Sequence, residues 1–435
     1  MTTRNGSILG SFTEDIWAVV NGSLVIVSIL LWAATHPTWT FKPPVYAWKN
    51  SNDLFSKVLD PANLTTLLLI WAAFAVISSV AIYFSGGSIR KFIAGFSIIY
   101  VLGISSLIIA GNAAVSKYGL EYVVFALVLG LVLSNVIGIP MWLRSAARSE
   151  FFIKTGLVIL GTSVLFTDIV KAGVPGIIQS LAVVSVVWFF AMWVSRKLKV
   201  DDEFAVILAS AVSICGVSAA IVASGAIQGD KKKLSYVTTL VLLVAIPMLV
   251  LQPWLIKEFN IPEIVGGAWL GGTLDTTASV TAAAELVGPV ATKAGVIIKF
   301  SQNVLIGLAA FFIASWWAFR NKGNEKTETP GLKVVWERFP KFVLGFIAVS
   351  LLFSFVISTA TVKQASGMLN SLRTIWFALA FLSIGLEARI GDLVKVQGGR
   401  PALSFLIAQV FNIIWTLILA YLLFGGVLFD VPDIK

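Results

Sequence analysis

Residues 64–84 are LTTLLLIWAAFAVISSVAIYF, an apolar stretch without a charged side chain. A run of roughly 18 or more apolar residues, wound as a helix, is long enough to cross about 30 Å of hydrocarbon. Helices satisfy their own backbone hydrogen bonds, which is why they can span a bilayer that holds no water. The stretch therefore predicts a transmembrane α-helix.

Comparable stretches recur along the whole chain of 435 residues, of which 58% are hydrophobic and only 12% are charged. A soluble domain usually carries about 25% charged residues. We therefore expect an all-α fold, a polytopic transmembrane helical bundle of about 11–13 helices in a plasma or inner cell membrane. The thirteen candidate segments are Trp17–Ala34, Leu64–Phe84, Phe92–Ala114, Tyr122–Ile139, Phe152–Val170, Val174–Val194, Phe204–Ile227, Leu234–Ile256, Val265–Val287, Ala294–Phe319, Phe339–Ser358, Leu372–Ile390 and Leu403–Val427.

Composition also limits the classes of function. The formal net charge of +10 indicates basic loops that face anionic lipid, so the expected partner is the bilayer and not a nucleic acid. One cysteine, Cys215, excludes an intramolecular disulfide, and one histidine, His36, leaves no histidine-based metal site. The sequence contains no P-loop and no hydrolase or redox motif. We expect no enzyme activity and no cofactor, apart from a coupling Na⁺ or proton.

The chain divides into four parts. The first part, residues 1–115, carries additional transmembrane helices. The transporter core follows in two parts, residues 116–320 and 342–435, and a polar linker, residues 321–341, joins them.

Two internal similarities indicate repeated structure. The pattern Gly-x6-Asp-x2-Lys begins at Gly161 and again at Gly385, an offset of 224 residues, and predicts two repeats of opposite orientation. The tripeptide Ser213-Ile-Cys215 also resembles Thr273-Leu-Asp275, at an offset of 60 residues that does not fit the longer repeat.

Three membrane segments interrupt the apolar pattern with small and polar residues. They are residues 210–220 (SAVSICGVSAA), 266–281 (GGAWLGGTLDTTASVT) and 299–303 (KFSQN). Polar groups at membrane depth are expensive and usually face the bundle interior or a water-filled cavity. Asp275 and Lys299 stand out because each lies within an otherwise apolar stretch, far from either loop.

Small residues of this kind can unwind a helix at mid-membrane. A break exposes N–H groups at the start of one half-helix, which favour an anion, and carbonyls that favour a cation. The glycine pairs at 266–267 and 271–272 predict such a break, with Thr273 or Asp275 capping the next half-helix. Close helix packing is the alternative role of these glycines and of Ser213–Ser218.

Two interpretations of the charged residues stay open. In the first interpretation, Asp275 and Lys299 form a structural ion pair. In the second, Lys299 attracts an anion and Asp275 binds the coupling ion. The candidate substrate-binding residues are Ser213, Cys215, Gly216, Ser218, Gly272, Thr273, Thr276, Thr277, Lys299, Gln302 and Asn303, and the candidate coupling-ion residue is Asp275. We assign no residue to catalysis or to a metal.

These segments resemble the sulfate exporter family of bacterial membrane proteins. The resemblance rests on SICGVSA from Ser213, GGTLDTTA around Asp275, IKFS around Lys299 and GLVILG from Gly156, and it runs from about Gly119 to the C-terminus. That family is similar to bile-acid, arsenite and riboflavin transporters. The resemblance implies a core of two inverted five-helix repeats, with crossed broken helices at its centre and elevator-like movement.

By position, the resemblance makes Asp275 and Lys299 the intramembrane acid and base of the family. Three positions depart from the family pattern, since Leu274 replaces a His, Ser279 a Gln and Gln302 an Arg. The loss of one intramembrane cation weakens the case for a divalent anion such as sulfate.

We therefore expect a secondary transporter of a small anion, either a sulfur oxyanion or an organic anion, with elevator-type alternating access. The alternatives are a cation/proton antiporter centred on Asp275 and a passive anion channel. The expected partners are the anionic substrate and the lipid bilayer. The sequence is also compatible with a homodimer. Ser213–Ser218 and Gly271–Thr277 should approach each other at mid-membrane, with Lys299 near Asp275.

Overall fold

The computed structural model describes residues 12–36, 42–117, 122–320, 340–388 and 399–434, and these ranges are helical without a β-strand. Short turns of helix at Ser51–Asp53, Ala113–Lys117 and Met141–Arg144 lie between the main elements. The main helices are α1 (Glu14–Thr35), α2 (Pro61–Phe84), α3 (Ile89–Ala110), α4 (Tyr122–Val132), α5 (Ser149–Leu160), α6 (Phe166–Lys197), α7 (Asp202–Ser210), α8 (Val217–Ala226), α9 (Lys231–Glu258), α10 (Glu263–Thr273), α11 (Thr277–Val287), α12 (Pro289–Arg320), α13 (Lys341–Leu351), α14 (Thr359–Glu387) and α15 (Gly399–Phe424).

Eight helices of the described ranges are long and apolar enough to cross a membrane: α1, α2, α3, α6, α9, α12, α14 and α15. The remaining apolar helices are shorter and include α8 and α11. The polytopic helical bundle expected from the sequence is confirmed. The thirteen segments overstate the number of complete spans, because several of them are short or broken helices.

The expected boundary between the fifth and sixth segments, at residues 171–173, is wrong. Helix α5 already ends at Leu160, a 3₁₀ turn follows at Gly161–Ser163, and α6 then runs unbroken through Pro175. A proline is tolerated inside a membrane helix because neighbouring groups satisfy the backbone that it frees. Asp168 lies in the first turn of α6, where a negative charge complements the helix dipole.

The chain forms two compact units. The first comprises Met1–Phe166 and Lys341–Arg389, and the second comprises Thr167–Pro340 and Ile390–Lys435. Neither follows the division into residues 1–115, 116–320 and 342–435 that we drew along the sequence. The expected linker lies almost entirely outside the described residues, as do Asp392 and Lys395 of the second copy of the 224-residue repeat. The inverted five-helix repeats stay a prediction.

Helix α14 lies at the centre of the first unit, and 72% of the residues in its most apolar stretch are buried. It packs against α3, α4 and α5. Glycines allow the closest of these approaches, since a Cβ placed on Gly385 would lie 2.7 Å from the backbone nitrogen of Leu131. Trp376 of the same helix stacks on Phe74 with ring centroids 4.2 Å apart. Close packing of this kind drives helix association in lipid, where burial of apolar surface contributes little.

The second unit is built from four long helices, α6, α9, α12 and α15, and two broken ones, α7–α8 and α10–α11. Helix α10 packs against α12 and α15. A Cβ on Gly267 would lie 2.5 Å from the carbonyl oxygen of Ala291, and one on Gly271 would lie 2.6 Å from that of Gly295. These glycines therefore bring α10 into backbone contact with α12, which carries Lys299.

Candidate functional site

The first helix break lies at Gly216. Helix α7 continues as a π-helical turn, Ala211–Cys215, and α8 begins at Val217. Gly216 between them has φ +62°, a left-handed conformation that residues with a Cβ rarely adopt. A Cβ at this position would lie 2.7 Å from the Val241 side chain and 2.9 Å from the Cβ of Asp275. Both the backbone angle and the space therefore require glycine here.

The second break follows Thr273, where α10 ends. Leu274 is extended, with φ −72° and ψ 135°, and α11 begins at Thr277. The hydroxyl oxygen of Thr276 accepts a hydrogen bond of 3.0 Å from the backbone N–H of Ser279 and so caps α11. The sequence placed the break at the glycine pairs and the cap at Thr273 or Asp275, and both predictions are wrong. The glycines lie inside α10 because their role is close packing.

The two breaks meet. Gly216 adjoins Asp275, and side chains from α12 bind carbonyl oxygens of both breaks. The 60-residue similarity in the sequence thus corresponds to two breaks with matching positions. The carbonyl oxygens of Ile214 and Leu274, which are 60 residues apart, both accept a hydrogen bond from one side chain, that of Lys299.

Lys299 is the central cation of the site and is 1% exposed. Its ammonium group donates hydrogen bonds of 2.7 Å to the carbonyl oxygen of Ile214, 2.9 Å to that of Leu274 and 2.8 Å to Oε1 of Gln302. An ammonium group has three protons, so its donor capacity is filled. Lys299 therefore neutralises the negative ends of two half-helices at once.

Three amides complete this arrangement. Gln302 donates its Nε2 to the carbonyl oxygens of Ser213, at 3.0 Å, and Gly272, at 3.3 Å. Gln409 of α15 binds the carbonyl oxygen of Thr273 at 3.0 Å, and Asn412 binds that of Val212 at 3.2 Å. Three consecutive carbonyl oxygens at each break, those of residues 212–214 and 272–274, are thus all bound by side chains. The six carbonyls belong to Val212, Ser213, Ile214, Gly272, Thr273 and Leu274, and we call their partners Lys299, Gln302, Gln409 and Asn412 the carbonyl clamp.

Sequence reasoning missed Gln409 and Asn412. They are spaced i and i+3 on an apolar helix, the same spacing as Lys299 and Gln302. Residues three apart lie on one face of a helix, so this spacing was the signal that could have found them. Gln179 of α6 was also missed, and its Nε2 binds the carbonyl oxygen of Ala268 in α10 at 2.7 Å.

Asp275 is only 2% exposed, and neither of its carboxylate oxygens has a hydrogen-bond partner in the structure. Its charge and that of Lys299 interact electrostatically. All three ammonium protons of Lys299 nevertheless go to other oxygens, so the two residues do not form a hydrogen-bonded ion pair. A buried carboxylate without donors is expensive to keep ionised.

The amide side of the breaks differs from the carbonyl side. The N-cap of α8 is Gly216, which offers no side chain to its first N–H groups. Ser218 in the first turn of α8 is exposed and Thr276 at the other break is half-buried, whereas the carbonyl clamp is buried. The start of α8 is therefore a reachable positive helix end beside Asp275.

The remaining predicted residues lie around the same breaks. The hydroxyl of Ser213 donates to the carbonyl oxygen of Ala209 at 2.8 Å, and that of Thr273 donates to Trp269, so both protons are used within their own helices. Cys215 is buried in the first break. Thr277 accepts a hydrogen bond of 3.0 Å from Nδ2 of Asn303, whose Oδ1 has no partner.

Gly272 is a packing residue, since a Cβ there would lie 2.7 Å from the methyl carbon of Thr416. No group of three or more His, Cys, Asp or Glu side chains gathers to hold a metal ion within the described ranges.

Comparison with known proteins gives the family setting. A family described as conserved hypothetical protein 698 matches residues 94–404. The UPF0324 membrane protein RB9488 of Rhodopirellula baltica is 36% identical over 84% of this chain and 68% of its own length. A UPF0324 membrane protein of Nitratidesulfovibrio vulgaris is 34% identical over 84% of this chain, which spans only 65% of that relative. A third, NE0724 of Nitrosomonas europaea, is 28% identical over 91% of this chain and 92% of its own length. No solved structure matches the chain.

Proposed function

The chain belongs to the membrane-protein family described as conserved hypothetical protein 698, and from this premise we propose that it is a secondary transporter of a small anion. The observation that carries the proposal is the asymmetry of the two meeting breaks. Their carbonyl ends are closed by the clamp, while the amide end of α8 has no side-chain cap. Broken helices that meet inside a membrane protein are a common substrate site in secondary transporters.

The electrostatics favour a negatively charged substrate. A helix start carries roughly half a positive charge and free N–H groups, which together bind anions. Lys299 lies on the carbonyl side, where it cancels the negative helix ends that would otherwise repel an anion. An anion at the start of α8 therefore meets positive potential from the helix end and from the lysine behind it.

The substrate class that fits best is a small anion with one negative charge, such as an organic sulfonate or a singly charged sulfur oxyanion. The site contains one buried lysine, and Gln302 stands where the resembling family carries an arginine. One formal positive charge balances one negative charge, and an unbalanced charge is costly at membrane depth. Elevator-type alternating access is part of the proposal and rests on the family resemblance alone.

The cation/proton antiporter is the second candidate, because Asp275 is buried and unpartnered. The clamp argues against it. The backbone carbonyls that a transported metal cation would use are already bound by side-chain donors, one of which is a cation itself. A passive channel differs from a transporter in kinetics, since only a transporter shows countertransport.

The test is transport by the purified protein in proteoliposomes. Radiolabelled methanesulfonate, sulfite, thiosulfate and sulfate are the probes, after a screen of thermal stabilisation by each anion. A ligand that binds only the folded state raises the stability by mass action. We expect saturable uptake of a singly charged anion, accelerated by the same unlabelled anion inside the vesicles. Uptake of Na⁺ or K⁺ in place of every anion would overturn the proposal, and unsaturable flux without countertransport would identify a channel.

A matched pair of variants ties the activity to the site. Lys299→Gln removes the buried cation, and Lys257→Gln removes an exposed lysine at the end of α9. We expect anion uptake to be lost in the first variant and retained in the second. Equal uptake by both variants would separate the transport activity from this site.

A further inference from the structure

The geometry of the site also bears on the coupling ion, an inference that rests on the proposed anion transport. Asp275 lies within the second break and adjoins Gly216, the residue that precedes α8. The Cβ and backbone oxygen of Asp275 therefore lie beside the helix start that would attract a substrate anion. Two negative charges cannot share one small positive site without strong repulsion. An ionised Asp275 opposes anion binding, and a neutral Asp275 permits it.

A sodium ion is poorly served by this site. In broken-helix transporters, coupling cations are bound by the carbonyl oxygens that the break frees. Here three consecutive carbonyl oxygens at each break, those of residues 212–214 and 272–274, are hydrogen-bonded to Lys299, Gln302, Gln409 and Asn412. A metal ion would have to displace these donors next to a buried ammonium group. A proton requires a single oxygen, and both carboxylate oxygens of Asp275 are without a partner.

Charge balance also favours a proton over a sodium ion as the coupling ion. With Asp275 ionised and Lys299 charged, the empty site is neutral. When Asp275 is protonated, the site gains one positive charge, which a singly charged anion balances. Both the empty and the loaded site then have zero net charge, and neutral arrangements are the cheapest at membrane depth.

We propose that Asp275 is a proton-binding site that couples the movement of one proton to that of one singly charged anion. On the side of entry, an O–H bond forms between a carboxylate oxygen of Asp275 and a proton delivered by water, and the anion binds at the start of α8. On the side of release, the anion leaves, the O–H bond breaks, and water takes the proton. The neutral pair of Asp275 and Lys299 then returns empty.

Two other titratable groups of the described residues accompany Asp275 in this site. They are Lys299 on α12 and Cys215 in the first break, both of which interact electrostatically within the cluster. Lys299 is held by three hydrogen bonds, so we assign it a constant charge.

The first experiment needs no substrate. Infrared difference spectra of the protein in lipid, recorded over a pH titration, report the C=O stretch of a protonated carboxylic acid. We expect one such band to be lost in Asp275→Asn and to persist in Asp168→Asn, which removes another buried carboxylate of the same unit. Asp275→Glu keeps an acid at the position and should keep a band, which guards against a folding defect. A band that Asp275→Asn leaves intact, or that Na⁺ abolishes at constant pH, would overturn the proposal.

The second experiment measures coupling in proteoliposomes with a pH-sensitive dye inside. Methanesulfonate is the probe, because this strong acid stays singly charged and does not itself carry protons across lipid. We expect an inward proton gradient to increase the rate of its uptake and the uptake to acidify the vesicle interior. A Na⁺ gradient should leave the rate unchanged. Uptake driven by Na⁺, or uptake without acidification, would overturn the coupling and leave anion transport standing. Absence of uptake for every anion, with the infrared band intact, would instead remove the proposed transport function and its coupling.

Discussion

Two acids of this protein, the half-buried Glu387 and the buried Asp275, have opposite surroundings. Glu387 ends α14 in the first unit and accepts two hydrogen bonds from Ser149, one of 2.9 Å from the backbone N–H and one of 2.6 Å from the hydroxyl. Asp275 lies within the second break, in the other unit, and accepts none from the residues that the structure describes. A carboxylate with donors at the start of a helix, as Glu387 has at α5, stabilises that helix. A buried carboxylate without hydrogen-bond donors is costly to keep ionised, so we assign Asp275 to the proposed coupling chemistry rather than to a helix cap.

The largest effect should come from exchanging each acid for its amide. Asp275→Asn removes the group that binds the coupling ion, and we expect coupled transport to be abolished while the protein still inserts and folds. Glu387→Gln should transport at close to the wild-type rate. Uptake and countertransport in proteoliposomes measure both variants. If Asp275→Asn transported the anion at the wild-type rate and with wild-type coupling, the proposed functional difference between the two acids would be contradicted.

Replacing Lys299, the charged neighbour of Asp275, should lower the stability of the protein. Lys299→Met leaves the carbonyl oxygens of Ile214 and Leu274 without their shared donor, and breaking a buried charged interaction typically costs about 3–5 kcal/mol. Thermal and denaturant unfolding in detergent measure the loss. Because the two charges interact, Asp275→Asn in the same chain should recover part of it, about 0.5–3 kcal/mol. Additive losses in the double-mutant cycle would show that the charges are independent.

Glu387→Gln should have a smaller effect, and on stability alone. The variant keeps an acceptor for Ser149 but loses the charge that complements the start of α5, so we expect a loss of about 1–2 kcal/mol. Ser149→Ala, which removes the donor hydroxyl, provides the matched control from the other side of the contact. A loss of anion coupling in either variant, with stability unchanged, would contradict the structural role of Glu387.

The amides of α15 should contribute an amount similar to that of Glu387. Asn412→Ala and Gln409→Ala each leave one carbonyl oxygen, of Val212 or Thr273, without its side-chain donor. An unsatisfied buried acceptor costs about 1–3 kcal/mol, and the apparent affinity for the anion should fall with the loosened break. Exposed Asn135→Ala in the first unit is a control for amide loss in general. Unchanged stability in both α15 variants would show that the clamp is incidental.

The sequence predicted much of this fold because hydrophobic runs report membrane helices directly. It also located both helix breaks to within a few residues, since glycine, serine and threonine at membrane depth are unusual in combination with Asp275 and Lys299. The mechanism assigned to the glycines of α10 was wrong, because the same residue favours both unwinding and close packing. Only the contact with α12 distinguishes the two roles.

The carbonyl clamp was beyond sequence reasoning for a different reason. Gln409 and Asn412 lie more than a hundred residues from the carbonyls they bind, and nothing local indicates which helix α15 faces. The division of the chain into units was equally hidden, because α13 and α14 join the first unit although α12 and α15, on either side of them in the sequence, belong to the second. Long-range pairing of this kind is set by packing and not by any periodicity of the chain.

The central claim is that the two breaks together bind one anion, and the native thiol of Cys215 tests it most directly. Cys215 is the single cysteine of the chain and lies in the first break, one residue before Gly216. A membrane-permeant thiol reagent should label it in the wild-type protein and leave Cys215→Ser unlabelled. We predict that methanesulfonate, or the hydrogensulfite present in sulfite solutions, slows this labelling in a saturable manner. We also predict that Asp275→Asn changes the pH dependence of the protection. A labelling rate that no anion alters would contradict the claim and leave the two breaks as a packing feature.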